Sequence, residues 1–153
     1  MIEFVTGDMF DDDSEIRVNT VNCYGVMGKG VALAFKNKYP KMFLEYKQAC
    51  KNRSIRPGKL QIWKGEDHAW VVNFPTKRHW RDKSLYSDIK DGLRTLHDYL
   101  KPLKSVKVSI PALGCGHGGL EWNIVKTMIV AELGGLDHIQ IRVYSPEDSR
   151  RVK

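Results

Sequence analysis

Short β-like runs of apolar residues alternate along the chain with longer runs of helical spacing. Ile2 to Thr6 reads as a strand broken by Gly7-Asp8, and Ile16 to Val21 as a second strand. Gly25 to Gly30 is too glycine-rich for regular structure and leads into the helical start Val31-Ala32-Leu33-Ala34-Phe35. Pro40 ends that helix and opens the next, over Lys41 to Lys51. After the Pro57-Gly58 turn, Leu60 to Trp63 and Ala69 to Phe74 form a strand pair joined by Gly65-Glu66-Asp67. Ile89, Leu93, Leu96 and Leu100 make one stripe of a helix, which Ser84 or Ser87 can cap and Pro102 follows. Val106 to Ile110 is a strand meeting Pro111. Gly114 to Gly119 is a second glycine-rich loop, and Glu121 to Leu133 is a helix stopped by Gly134-Gly135. Ile139 to Tyr144 is a last strand, broken by Pro146. Strands alternating with helices predict an α/β domain with a mixed sheet.

At 153 residues the chain fits one domain, with no internal repeat and no linker. The hydrophobic share of 42% and charged share of 28% are those of an ordinary globular protein. The N-terminal stretch is acidic and lacks the basic flank of a signal peptide, and no apolar run is long enough to span a membrane. The expectation is a cytoplasmic protein. Cys23, Cys50 and Cys115 are odd in number and widely spaced, which argues against a disulfide framework and a zinc site. The histidines lack metal-ligand spacing, so neither metal nor cofactor is expected. The net charge of +7 suits solubility or polyanion binding. Its densest cluster is Lys77-Arg78-His79-Trp80-Arg81-Asp82-Lys83, with an aromatic inside it. A second basic run, Arg150-Arg151 with Lys153, ends the chain.

Two segments run strand, glycine loop, helix: Val18 to Gly30 and Pro111 to Gly119. Ligands of open α/β sheets sit beyond the carboxyl ends of strands, where such loops collect. Glycines let backbone N–H groups approach a phosphate, and a helix N-terminus adds positive potential. Two such loops suit a diphosphate. Neither loop is a P-loop, and neither fits the dinucleotide fingerprint.

Gly7-Asp8, Val18-Asn19-Thr20-Val21-Asn22, Gly28-Lys29-Gly30 and Gly114-Cys115-Gly116 together resemble the macrodomain family, ADP-ribose binders with a three-layer α/β/α fold around a mixed sheet. The resemblance covers the whole chain, 1–153, read as a single macrodomain. Asn73-Phe74-Pro75-Thr76-Lys77, followed by Arg78-His79-Trp80-Arg81, is similar to the DarG-type branch. Those macrodomains are antitoxins that remove ADP-ribose from DNA modified by DarT-type toxins, and they are related to the ADP-ribosyl-glutamate hydrolases. The implied partners are ADP-ribose, ADP-ribosylated single-stranded DNA with thymine as the base, and a DarT-type toxin. The implied state is a monomer, either excised from a longer antitoxin chain or a stand-alone relative. Two other readings stay open: a hydrolase of protein acyl esters or ADP-ribose 1″-phosphate, and a non-catalytic ADP-ribose binding module.

The resemblance also implies residue roles. The Asp8 carboxylate would accept the adenine amino group beside the Met9 backbone, unless Asp8 only caps its turn. Tyr144 would stack on the adenine. Thr20 and Asn22 lie at the first loop, with the Asn22 amide placed to contact the distal ribose or to hold a turn. Gly28, Lys29, Gly30 and Val31, with Gly114, Cys115, Gly116, His117, Gly118 and Gly119, would wrap the diphosphate and distal ribose. Lys29 is either a phosphate contact or solvated, and Cys115 is either a nucleophile or a small buried thiol. Lys77 is the expected catalytic residue: burial and cations such as Arg78 would lower its pKa and free a nucleophilic amine for C1″. An electrostatic role for it remains open. Arg78, His79, Trp80 and Arg81 would grip single-stranded DNA. Where the glutamate hydrolases carry an aspartate after Gly-Cys-Gly, this chain has His117-Gly118. His117 either replaces that acid or only lines the loop. The aspartate of the MacroD-type first loop is also absent.

Overall fold

Every apolar run expected to be a strand pairs into one six-stranded sheet. The computed structural model describes residues 1–65 and 67–146; Glu66 and the Arg150-Arg151/Lys153 run lie outside the described residues. The strands are β1 (Ile2–Val5), β2 (Ile16–Asn22), β3 (Gln61–Lys64), β4 (Trp70–Lys77), β5 (Lys107–Ile110) and β6 (Gln140–Tyr144). The helices are α1 (Gly30–Lys38), α2 (Pro40–Lys51), α3 (Tyr86–Leu100) and α4 (Trp122–Leu133). The sheet order is β1-β6-β5-β2-β4-β3, parallel throughout except for the antiparallel β3–β4 pair. The carboxyl ends of β1, β2, β4, β5 and β6 therefore open on one edge.

Alternation along the strands splits the core into two layers. Val72 and Phe74 of β4 face α3 and α4, with Leu93, Leu96 and Ile129 in the same cluster. Val71 of β4 and Val21 of β2 face α1 and α2, against Phe35, Met42 and Tyr46. The result is the expected α/β/α sandwich. Gly92 lies inside α3, where glycine normally weakens a helix. A Cβ there would overlap the buried Phe74 ring, so the glycine lets α3 sit directly on β4.

Two expectations need correction. Strand β4 runs past Phe74 to Lys77. Strand β3 begins opposite Asn73, so Pro75 lies on an unpaired margin where its missing N–H costs no ladder bond on that side. A register shift then sets Asn22 beside Lys77. Neither Ser84 nor Ser87 caps α3: the N-cap is Leu85, with no side-chain hydrogen bond. Ser84 is drawn into the core, and its N–H donates to the Gly118 carbonyl at 3.0 Å. Among the described residues no helix is long and apolar enough to cross a membrane.

Candidate active site

A cleft of about 1270 Å³ opens along the carboxyl edge of the sheet. Its wall takes Gly7 to Phe10 after β1, Thr20 to Asn22 at the end of β2, and Thr76 and Lys77 at the end of β4. Pro111, Ala112, Gly114 and Gly116 to Gly118 after β5, and Tyr144 at the end of β6, line it as well. Among the expected site residues, Asp8, Met9, Thr20, Asn22, Gly28, Lys29, Gly30, Val31, Gly114, Gly116, His117, Gly118, Lys77, Trp80, Arg81 and Tyr144 line this cleft. Cys115, Gly119, Arg78 and His79 do not.

The first loop is organised by Asn22. Its Oδ1 accepts the N–H groups of Tyr24 and Gly25, both at 3.0 Å, that of Val26 at 3.3 Å, and the Tyr46 hydroxyl at 2.9 Å. Its Nδ2 donates to the Val26 carbonyl at 2.7 Å. No acceptor capacity remains for a ribose hydroxyl. Asn22 thus holds the turn, and one hydrogen of its Nδ2, on the cleft wall, is left without a partner among the described residues. Past this loop, α1 begins at Gly30, which adopts φ +55°, and its first-turn N–H groups point out of the helix end.

The second loop is tied to the segment before α3. Ser84 donates its N–H to Gly118, and Glu121 donates its N–H to the Tyr86 hydroxyl at 3.0 Å. Gly118 has no room for a side chain, since a Cβ would strike both Ser84 Oγ and the Gly114 carbonyl. The N–H groups of Gly116, His117 and Gly118 make no hydrogen bond among the described residues, so they remain available to an anion. Cys115 is half-buried with its thiol on the Leu113 carbonyl, and burial pushes its pKa up to about 11. That is the inert, small-thiol state rather than a nucleophile. His117 is exposed on the cleft wall.

Lys77 ends β4 half-buried, and its Nζ donates to the Trp80 carbonyl at 3.4 Å. Burial, then the nearby Lys29 ammonium, hold its amine below the usual lysine range, against the opposing pull of Asp82. The cation beside Lys77 is thus Lys29 rather than Arg78. The Arg78 guanidinium instead makes a two-pronged pair with the buried Asp88 carboxylate, both contacts at 3.2 Å. This pairing clamps the segment after β4 onto α3, while the Arg78 side chain stays 62% exposed. Trp80 and Arg81 stay exposed, with the Arg81 guanidinium 4.6 Å above the Trp80 ring.

At the opposite end, Asp8 Oδ1 caps the short helical turn Met9–Asp11 by accepting the Phe10 N–H at 2.9 Å. Behind it lies a polar cluster that local pattern could not reveal. The Asp12 carboxylate accepts the Tyr144 hydroxyl at 2.6 Å, the Ser109 hydroxyl, and the Ser14 N–H at 3.0 Å. Arg17, buried beneath, donates to the Met9 carbonyl at 3.2 Å and the Asp12 carbonyl at 2.7 Å. Burial works against the Asp12 charge, but the hydrogen bonds from Ser109, Tyr144 and Ser14 outweigh it and lower its pKa. Burial and the bond to Asp12 push the Tyr144 phenol up to about 12. The Asp12 carboxylate therefore holds the Tyr144 ring, while Arg17 holds the turn that Asp8 caps. Asp12, Arg17 and Ser109 support the cleft residues Met9 and Tyr144 from behind, and sequence reasoning missed them. Their only sequence signal is an acidic run before a strand that carries a buried arginine.

The family model for the Macro domain matches residues 18–129, and the chain belongs to the macrodomain family. Within it, the chain is similar to DarG proteins. It is 40% identical over 157 residues to the DNA ADP-ribosyl glycohydrolase of Mycobacterium tuberculosis (strain ATCC 25618 / H37Rv), across 99% of this chain and 44% of that protein. The chain thus spans less than half the length of that relative. The macrodomain of Mycobacterium tuberculosis DarG superposes with a TM-score of 0.92 at 40% identity, covering 96% of this chain and 99% of that one. Thermosipho africanus DarTG in complex with ADP-ribose matches with a TM-score of 0.88 at 36% identity, covering 95% of this chain and 42% of that one.

Proposed function

We propose that this chain is an ADP-ribosyl glycohydrolase that removes ADP-ribose from thymine in single-stranded DNA, reversing a DarT-type toxin. The observation that carries the reading is a lysine of lowered pKa on the wall of a cleft bordered by two glycine loops, in a chain 40% identical to a DNA ADP-ribosyl glycohydrolase. Adenine lies between the Asp8 turn and Tyr144. The diphosphate takes the α1 N-terminus and the N–H groups of Gly116, His117 and Gly118. The distal ribose then points toward Lys77 and the basic segment after it.

Lys77 acts at C1″ of that ribose. The neutral amine forms a bond to C1″ as the bond from C1″ to the base nitrogen breaks, and the base leaves with a proton. One proton of the amine leaves with the base and the other passes to the ring oxygen as the sugar opens, giving an imine that water hydrolyses to ADP-ribose and the free amine. Lys29 favours the neutral form of Lys77 and faces the diphosphate, so one cation serves both ends of the reaction. Trp80 and Arg81, at the cleft mouth, hold the DNA.

The test is turnover on two substrates, an ADP-ribosylated single-stranded oligonucleotide and an ADP-ribosyl-glutamate protein. Release from the oligonucleotide at a kcat/KM at least about tenfold higher is expected. Release from the protein ester alone would move the chain to the acyl-ester hydrolases. Tight ADP-ribose binding with no release from either would make it a binding module.

A further inference from the structure

Flat side chains from two separate loops form a continuous ladder beside the cleft. Tyr24, on the first loop, sets its ring centroid 4.5 Å from that of His79, tilted at 57°. His79 stacks on Trp80 at 5.3 Å and 28°, and the Arg81 guanidinium lies over Trp80. Trp80, contacted by both neighbours, borders the cleft and stands by Lys77. Tyr24 is the outer end: it is 62% exposed and lies outside the cleft wall. One exposed tyrosine needs no explanation. A tyrosine in edge contact with a His79–Trp80 stack that begins beside the reacting lysine does. Its surroundings are basic. The Lys47 stem runs beside Gly25, next to Tyr24 in sequence, and Lys47 is exposed.

We propose that this ladder is the site for the nucleotides flanking the modified base, an inference that rests on the DNA reading of the cleft. The strand leaves the cleft at Trp80, stacks a neighbouring base on Tyr24, and sets its phosphates against Arg81 and Lys47. Base–aromatic stacking tolerates any sequence because every base has a π face, while phosphate contacts supply affinity that salt weakens. In a duplex each base already stacks on its neighbours, so Tyr24 selects single strands. Trp80, between His79 and Arg81, serves as the inner support, and the exposed Tyr24 ring is the surface a base extends.

The test uses a fluorescent single-stranded oligothymidylate without ADP-ribose, titrated by anisotropy, with ADP-ribose affinity measured in parallel. Tyr24→Ala should weaken oligonucleotide binding about 5- to 150-fold, the range expected for loss of one stacked base. ADP-ribose affinity should stay within about twofold, and Tyr24→Trp should restore DNA binding. Lys47→Glu should weaken DNA binding and reduce its salt slope by about 1. Unchanged oligonucleotide affinity in Tyr24→Ala, or an equal loss for ADP-ribose, overturns the proposal. A wild-type protein that releases nothing from ADP-ribosylated DNA defeats the parent reading, and the binding series still decides the ladder.

Discussion

Replacing Asp12 with alanine should cost far more than its place on a loop suggests. Its carboxylate, 4% exposed, is the acceptor for Tyr144, Ser109 and Ser14, and it lies 3.6 Å from the Arg17 guanidinium, itself 10% exposed. Asp12→Ala leaves Arg17 with carbonyl partners but no counter-charge, which at buried sites costs about 3–5 kcal/mol. Water reaching the cleft side relieves the Tyr144 hydroxyl, so the lower bound, about 3 kcal/mol, is expected. Tyr144→Phe removes one hydrogen bond to a charged group, for about 1.5 kcal/mol. Both act through one bond, so the double variant should fall short of the sum by about 1 kcal/mol or more. Urea denaturation at pH 7 measures all three. Asp12 is held below its ordinary 3.8, so its stabilisation is complete above that pH and is lost as pH falls through the lower folded value. The gap between wild type and Asp12→Ala should therefore narrow in strong acid. A cost below about 0.5 kcal/mol, or strict additivity, would refute the claim that Asp12 anchors the adenine end.

Gly118→Ala should lose about 1–3 kcal/mol of stability and weaken ADP-ribose binding in calorimetry, because the new methyl must displace Ser84 or the Gly114 carbonyl. Gly92→Ala should destabilise by a similar amount in thermal melts, the reverse of the usual helix preference, because the methyl meets Phe74. The nucleophilic form of Lys77 is the neutral amine, so kcat/KM should rise with pH along a limb centred below 10.5. Lys29→Gln removes a cation that lowers Lys77 and should move that limb to higher pH; an unmoved limb would count against the assignment.

The two glycine loops could be read from sequence because their backbone needs are local. Gly25, Gly30, Gly114 and Gly119 take positive φ between a strand and a helix, where few other residues fit. The stripe of Ile89, Leu93, Leu96 and Leu100 was equally local, and all four are fully buried. Long-range pairings were not legible. Asp12 and Ser109 are 97 positions apart and meet only because β5 and β6 lie between β1 and β2 in the sheet. Arg78 looked like a free cation because nothing local marks the buried Asp88 as its partner. Local pattern ends β4 at Phe74, and its extension to Lys77 past Pro75 depends on β3 beginning at Gln61, opposite Asn73, which is a tertiary fact. Asn22 fits a ribose contact by residue type, but Tyr46 of α2 reaches across to claim its oxygen.

The central claim is that the Lys77 amine performs the chemistry in this cleft. The most direct measurement is single-turnover release of ADP-ribose from an ADP-ribosylated single-stranded oligonucleotide by wild type and Lys77→Ala, with ADP-ribose affinity measured on both. The account predicts a rate loss of at least about 100-fold in Lys77→Ala while ADP-ribose still binds. Release near the wild-type rate by Lys77→Ala would contradict it.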